Sequence, residues 1–182
     1  MPDGTTFEFV RSPADPERDP SEMVFTAQPN GPAPPPHVHP RQREVFTLEE
    51  GDFELLVDGD WRKLAPGESL AIEPGQTHTY RNEGTRTARV RTVHEPGLGF
   101  EGYIRELHAT IAAHGSTRIT PGVAARMAVI WRRHSDTIQP GPLPLKIAFG
   151  ILGRVGPLLG LRPSPASAAR AHEPAQPERQ RL

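Results

Sequence analysis

The chain has 182 residues, with 21 basic against 22 acidic side chains and a formal net charge of −1, a balance without the clustered basic excess of a nucleic-acid-binding surface. Cysteine is absent, which excludes disulfides, thiolate nucleophiles, iron–sulfur clusters and cysteine zinc sites, so a bound metal would need nitrogen and oxygen ligands. The 22 prolines and 17 glycines suit turns and strand ends better than helix interiors.

Residues 1–13 contain no basic segment followed by an apolar run, the pattern of a secretion signal. The longest apolar approach, 143–161, is interrupted by Lys146, Arg154, Pro157 and four glycines. It therefore falls short of the roughly 18 uninterrupted apolar residues of a membrane span. The expectation is a cytoplasmic protein with no membrane span and no nucleic-acid partner.

From residue 5 to residue 93 the chain reads as short alternating segments divided by Gly, Pro, Asn and Asp, the pattern of an antiparallel barrel or sandwich. Strands are predicted at 6–10, 23–28, 37–39, 44–48, 53–57, 61–64, 69–72, 78–82 and 87–93. Asp58-Gly59 marks a two-residue hairpin, because that turn requires positive φ. The proline-bearing segment 11–21 reads as an exposed loop. From Phe100 the period changes to about 3.6 residues. Phe100, Tyr103, Ile104, Leu107 and Ile111 share one helical face, and Gly115 ends that helix. Thr120 as N-cap with Pro121 at the first helical position starts a second helix, whose apolar face is Val123, Met127, Ile130, Trp131 and His134. A third, glycine-rich helix covers about 145–159. Residues 162–182, dominated by Pro, Ala and charge, are expected to be a disordered tail.

The histidines carry the chemistry. His37 and His39 are two apart, so on a strand both imidazoles project to one face. Glu44, Phe46 and Leu48 share a face of the next strand, and a carboxylate among large apolar residues needs a partner. A divalent cation would be one. His78 follows the Pro74-Gly75 turn and shares a face with Tyr80 and Asn82. Three imidazoles and a carboxylate on neighbouring inward faces make a site suited to one divalent transition metal ion, whether Fe, Mn, Ni, Cu or Zn.

These stretches resemble the two motifs of the cupin superfamily. Gly31, His37, His39, Glu44 and Gly51 match the first with every spacing respected. Gly67, Gly75, His78 and Asn82 match the second, with Pro74 displaced by one residue, a departure that concerns turn geometry rather than the ligands. The 15 residues between the motifs (52–66) resemble the short spacing of small single-domain bacterial cupins. The resemblance covers roughly 23–93. It implies a mainly β fold, an antiparallel jelly-roll or double-stranded β-helix barrel assigned to 1–99; the C-terminal helical extension over 100–161, expected to pack on the barrel, comes from the helical period and not from the resemblance. The resemblance further implies a metal centre of His37, His39, Glu44 and His78 with about two coordination positions left open. In flavonol-cleaving relatives the equivalent glutamate is thought to accept the substrate proton, so Glu44 carries a possible general-base role beside its role as ligand.

The leading expectation is a dioxygenase acting on a small aromatic or enol-type molecule. A metal-dependent isomerase or decarboxylase, or a non-catalytic binder or sensor of a small ligand, are the alternatives. Phe46, Phe53, Leu55 and Tyr80 are candidate substrate-lining residues against a reading as barrel core. His94 has inward strand parity, yet its place before Glu95-Pro96 points to an exposed rim. His108, His114 and His134 fall outside the motifs and read as packing or surface residues. Arg132, Arg133 and Arg154 would form a solvated face or a basic face toward a membrane surface or partner. The glycine-rich third helix would suit close packing, including in a homodimer. The two amphipathic helices would either cap the barrel mouth or pack on its outside.

Overall fold

The structure, a computed structural model, describes residues 4–115 and 120–161; the expected tail lies outside them. In chain order the elements are β1 (Phe7–Arg11), β2 (Ser21–Ala27), β3 (His37–Val38), β4 (Arg43–Glu50), β5 (Phe53–Val57), β6 (Asp60–Leu64), β7 (Ser69–Ile72), β8 (His78–Arg81) and β9 (Ala88–Glu95). There follow α1 (Phe100–His114), α2 (Pro121–Arg133), β10 (Gln139–Pro140) and α3 (Leu143–Val155), which ends in a 3-10 turn at Gly156–Leu159. Two five-stranded antiparallel sheets form the barrel, in the orders β1-β2-β9-β4-β7 and β10-β3-β8-β5-β6.

Alternation along the strands decides which side chains face inward. In β4, Glu44, Phe46 and Leu48 are buried while their neighbours are not, and in β5 Phe53, Leu55 and Val57 are buried. Between these strands Gly51 has φ +92, and a Cβ there would lie 2.1 Å from the Thr87 carbonyl oxygen. Only glycine permits that close approach. The Asp58-Gly59 hairpin forms as expected, with φ of 50° and 104°. Its Asp58 carboxylate also accepts hydrogen bonds from Thr77 N and Gln76 Nε2, at 3.1 and 3.0 Å. The turn thereby braces the segment that leads into β8.

Inside the barrel Phe25 stacks on Phe7 and meets Phe53 and Tyr80 edge-on or tilted, with centroids 5.1 to 6.1 Å apart. Burying such a side chain stabilises the fold by about 2–3 kcal/mol. The core does not stop at the barrel. Phe100, Tyr103, Ile130, Trp131 and Ile138 belong to the same apolar cluster as Phe25, Phe46 and Leu55.

Helix α1 starts at Phe100 and ends at a left-handed Gly115, while Thr120 caps α2 by accepting from Val123 N. Beyond its expected face, α2 buries Ala125, Ala128 and Val129, because α3 covers its other side. Two features differ from the sequence reading. The third helix begins earlier, at Leu143, and its last turn tightens to 3-10 geometry. A tenth strand of two residues was not expected; Gln139 and Pro140 pair with Val38 and His37. So short a strand, half of it proline, carries no alternating pattern to read.

Candidate metal centre

Strand register builds the site from two cross-strand pairs on opposite sheets. His37 on β3 is the direct partner of His78 on β8, and Glu44 on β4 is the direct partner of His94 on β9. His39 follows one residue beyond β3. Its carbonyl oxygen accepts from Gly75 N at 2.9 Å, so the turn of the second motif is tied to a histidine of the first. All five side chains are buried.

The outer ring nitrogens are fixed by backbone carbonyls. His37 Nδ1 lies 3.0 Å from the Pro35 oxygen, His78 Nδ1 3.0 Å from the Gln76 oxygen, and His39 Nδ1 2.6 Å from the Thr137 oxygen. A carbonyl only accepts, so in each ring Nδ1 is the donor, and in a neutral imidazole Nε2 is then a bare acceptor. Yet His78 Nε2 and His39 Nε2 lie 3.0 and 3.2 Å from Glu44 Oε2. Glu44 Oε2 and His78 Nε2 are buried with no hydrogen bond of acceptable geometry. Acceptor lone pairs aimed at a common point are what metal ligands present. Donors about 2.1 Å from a shared ion lie roughly 3–4 Å apart, and one ligand atom from each of His37, His39, Glu44 and His78 lies within 4.8 Å of the others. The residues therefore fit one divalent transition ion.

Electrostatics in the protein alone point the same way. Burial raises the Glu44 pKa, but the charge of His94 and contacts with His39, His78 and His94 outweigh it and hold the carboxyl well below its ordinary range. Burial, reinforced by His78 and His39, drives His37 well below its ordinary value. Burial also disfavours the charged form of His78, but the adjacent Glu44 carboxylate reverses the net direction and raises it. A neutral His37 and an ionised Glu44 are the protonation states a metal requires.

His94 corrects the expectation of an exposed rim position: it is 0 % exposed. Its Nε2 lies 3.1 Å from Glu44 Oε1, and its ring stacks on Phe100 with centroids 3.4 Å apart. Burial lowers its pKa. It lies outside the candidate metal-ligating group and instead contacts the carboxylate oxygen turned away from His39 and His78. The signal was the inward parity shared with Thr92 and Val90; what hid it was the helical extension, which covers the strand end. The remaining described histidines lie elsewhere, His134 beside Glu106, His108 against Phe7 and His114 beside Thr120.

A cavity of about 90 Å³ adjoins His37, His39 and Glu44. Of the candidate lining residues, Phe46 and Tyr80 face it, whereas Phe53 and Leu55 pack in the barrel core. The sequence reading missed Thr92 and the wall formed by α1 through Phe100, Tyr103, Ile104 and Leu107, with Ile138 beyond α2. The helical extension thus caps the metal end of the barrel. Among the described residues no Lys or Arg lines this cavity. The Thr92 hydroxyl is buried there without a hydrogen-bond partner among the described residues.

A family model described as "Cupin domain" matches residues 23–94. No curated protein matches the chain. Among solved structures, a conserved protein with a double-stranded β-helix domain from Klebsiella pneumoniae is 26 % identical over 51 % of this chain and 77 % of its own, with a TM-score of 0.45. The TT1209 protein of Thermus thermophilus is 26 % identical over 53 % of this chain and 87 % of its own, with a TM-score of 0.47. The polyketide cyclase RemF of Streptomyces resistomycificus is 26 % identical over 50 % of this chain and 65 % of its own, with a TM-score of 0.44. The matched residues 23–94 span both sheets of the barrel and hold His37, His39, Glu44, His78 and His94; over this segment the chain matches the cupin domain.

Proposed function

We propose that His37, His39, Glu44 and His78 hold one divalent transition metal ion and that the protein is a dioxygenase of a compact, largely apolar enol or aromatic molecule. The observation that carries this reading is the convergence of buried acceptor atoms at 3.0–3.2 Å beside a cavity whose lining has no cationic side chain. A bound ion would supply Lewis acidity and open positions for substrate oxygen and dioxygen.

The chain's own residues account for selection and orientation. At roughly 10–15 Å³ of such volume per water-sized occupant, the cavity takes about six to nine non-hydrogen atoms. Phe46, Phe100, Ile104 and Leu107 favour apolar surface, and the Thr92 hydroxyl is placed to meet one polar atom of the ligand. Glu44 Oε1, steadied by His94, is the oxygen available to receive a substrate proton while Oε2 faces the metal position. A sugar phosphate or oxyacid would find no counter-ion in this lining, which favours oxygenation over isomerisation or decarboxylation of such anions. A small-ligand partner and the cytoplasm as location belong to the same reading.

Metal analysis of the purified protein, followed by oxygen-uptake measurements with small enols, diketones and phenols, tests this. Expected are one equivalent of metal in the wild type, its loss in His78→Ala and Glu44→Ala, and oxygen uptake with at least one compound. Equal metal content in the variants would remove the site assignment. Ligand-induced thermal stabilisation without oxygen uptake or product would instead identify a binder.

A further inference from the structure

Helix α3 presents two unlike faces. Gly153 and Gly156 press against α2, where a Cβ would lie 2.7 Å from the Ala128 carbonyl oxygen and 2.9 Å from Val129 Cγ2 respectively. The glycine-rich face is therefore used within the chain. The opposite face carries Leu143, Ile147, Ile151 and Val155 at successive four-residue steps, continued by Leu158 and Leu159 in the 3-10 turn, all exposed. Leu158 is 85 % exposed and Leu143 68 %. Scattered apolar side chains on a surface are ordinary; a continuous stripe is an interaction surface.

Beside the stripe lies a groove of about 270 Å³ between α2, β10 and α3, into which Arg132, Lys146 and Arg154 project together with Ser135 and Gln139. Among the described residues none of these three cations is in an ion pair, unlike the arginines of the barrel strands such as Arg89 and Arg91. Between Asp136 and Glu173 the sequence contains no acidic residue at all. Residues 162–182 hold a single aliphatic side chain larger than Ala, Leu182, so their composition offers little apolar surface to match the stripe. A second copy of α3 would bring the same cations, Lys146 and Arg154, and no acidic residue of its own helix to pair them. An apolar stripe flanked by unpaired cations matches one occupant, the headgroup and acyl boundary of an anionic bilayer.

We propose that the α2–α3 face docks peripherally on anionic lipid membranes, the stripe of α3 entering the acyl boundary and the Arg132–Lys146–Arg154 groove receiving lipid phosphate. The proposal is independent of the metal centre, since none of these residues lines the metal cavity.

Co-sedimentation of the full chain with vesicles of phosphatidylcholine alone, or of phosphatidylcholine with phosphatidylglycerol, tests it. Expected is binding to the anionic vesicles that salt weakens, and little binding to the neutral ones. Lys146→Gln/Arg154→Gln should bind roughly thirtyfold more weakly, and Ile147→Asp/Ile151→Asp should not bind. Both pairs are exposed, and circular dichroism and thermal unfolding establish that the variants fold. Absence of binding to anionic vesicles, or undiminished binding by Ile147→Asp/Ile151→Asp, overturns the proposal. So does a wild-type dimer in solution that Ile147→Asp/Ile151→Asp dissociates while vesicles are ignored; that result would assign the stripe to a second copy.

Discussion

The Thr137 carbonyl oxygen lies 2.6 Å from Nδ1 of His39, a residue 98 positions earlier in the chain. The same threonine, fully buried, accepts a hydrogen bond from Gly99 N through its Oγ1 and donates its own N–H to the His134 carbonyl. One residue of the helical extension thus orients His39, a proposed metal ligand, and joins the start of α1 to the end of α2. Outer partners of this kind set ring orientation and tautomer, and losing one commonly lowers metal affinity ten- to a hundredfold.

A substitution away from the metal should therefore be felt at the metal. In Gly141→Val the added Cβ would lie 2.6 Å from Thr77 Cγ2 and 3.3 Å from the Pro36 backbone, beside the β10–β3 pairing that carries His37. Metal affinity measured by competition with a chelator is expected to fall roughly tenfold. Unchanged affinity would mean that the extension covers the site without shaping it.

His94 offers a second test. In His94→Gln the contact with Glu44 Oε1 and the stack on Phe100 are both lost, while all four metal-ligating side chains remain. Metal affinity should drop about tenfold or more, and the visible spectrum of the cobalt-loaded protein should shift as the carboxylate reorients. Loss of thermal stability with wild-type affinity and spectrum would reduce His94 to a packing residue.

The cavity predicts a separation of metal and ligand binding. Ile104 is half-buried and sits on the cavity wall provided by α1. Ile104→Trp should fill much of the roughly 90 Å³ while leaving the metal ligands in place. Metal content should match the wild type, but thermal stabilisation by a small apolar ligand and any oxygen uptake should disappear.

Stability should depend on pH through Asp52. Hydrogen bonds from the Arg86 side chain and backbone hold its carboxyl below the ordinary Asp range, with Arg86 Nη2 at 2.9 Å from Oδ1. A depressed folded-state pKa gives stability that is fully present above the unfolded value, about 4, and is lost as pH falls through the folded value. Urea unfolding of wild type and Asp52→Asn should show a gap at neutral pH that closes on acidification. A gap independent of pH would assign the effect to packing.

Nine strands, the Asp58-Gly59 hairpin, the Gly115 stop and the Thr120-Pro121 start were legible because period-two alternation and turn chemistry are local properties of the chain. That His37, His39, Glu44 and His78 would come together, with one ligand atom from each within 4.8 Å of the others, was legible from strand parity and motif spacing. What the sequence by itself determined, then, is which side chains face inward and that nitrogen and oxygen alone can hold a metal. The tertiary structure decided where the helices lie. Parity says that His94 points inward, but whether a strand end meets solvent or a helix depends on segments far along the chain. Likewise nothing local to Thr137 announces that its carbonyl will meet His39, since a backbone oxygen has no sequence signature. The apolar face of α3 follows the same rule: the sequence shows a helix rich in glycine and apolar residues, and only packing on α2 reveals which half remains uncovered.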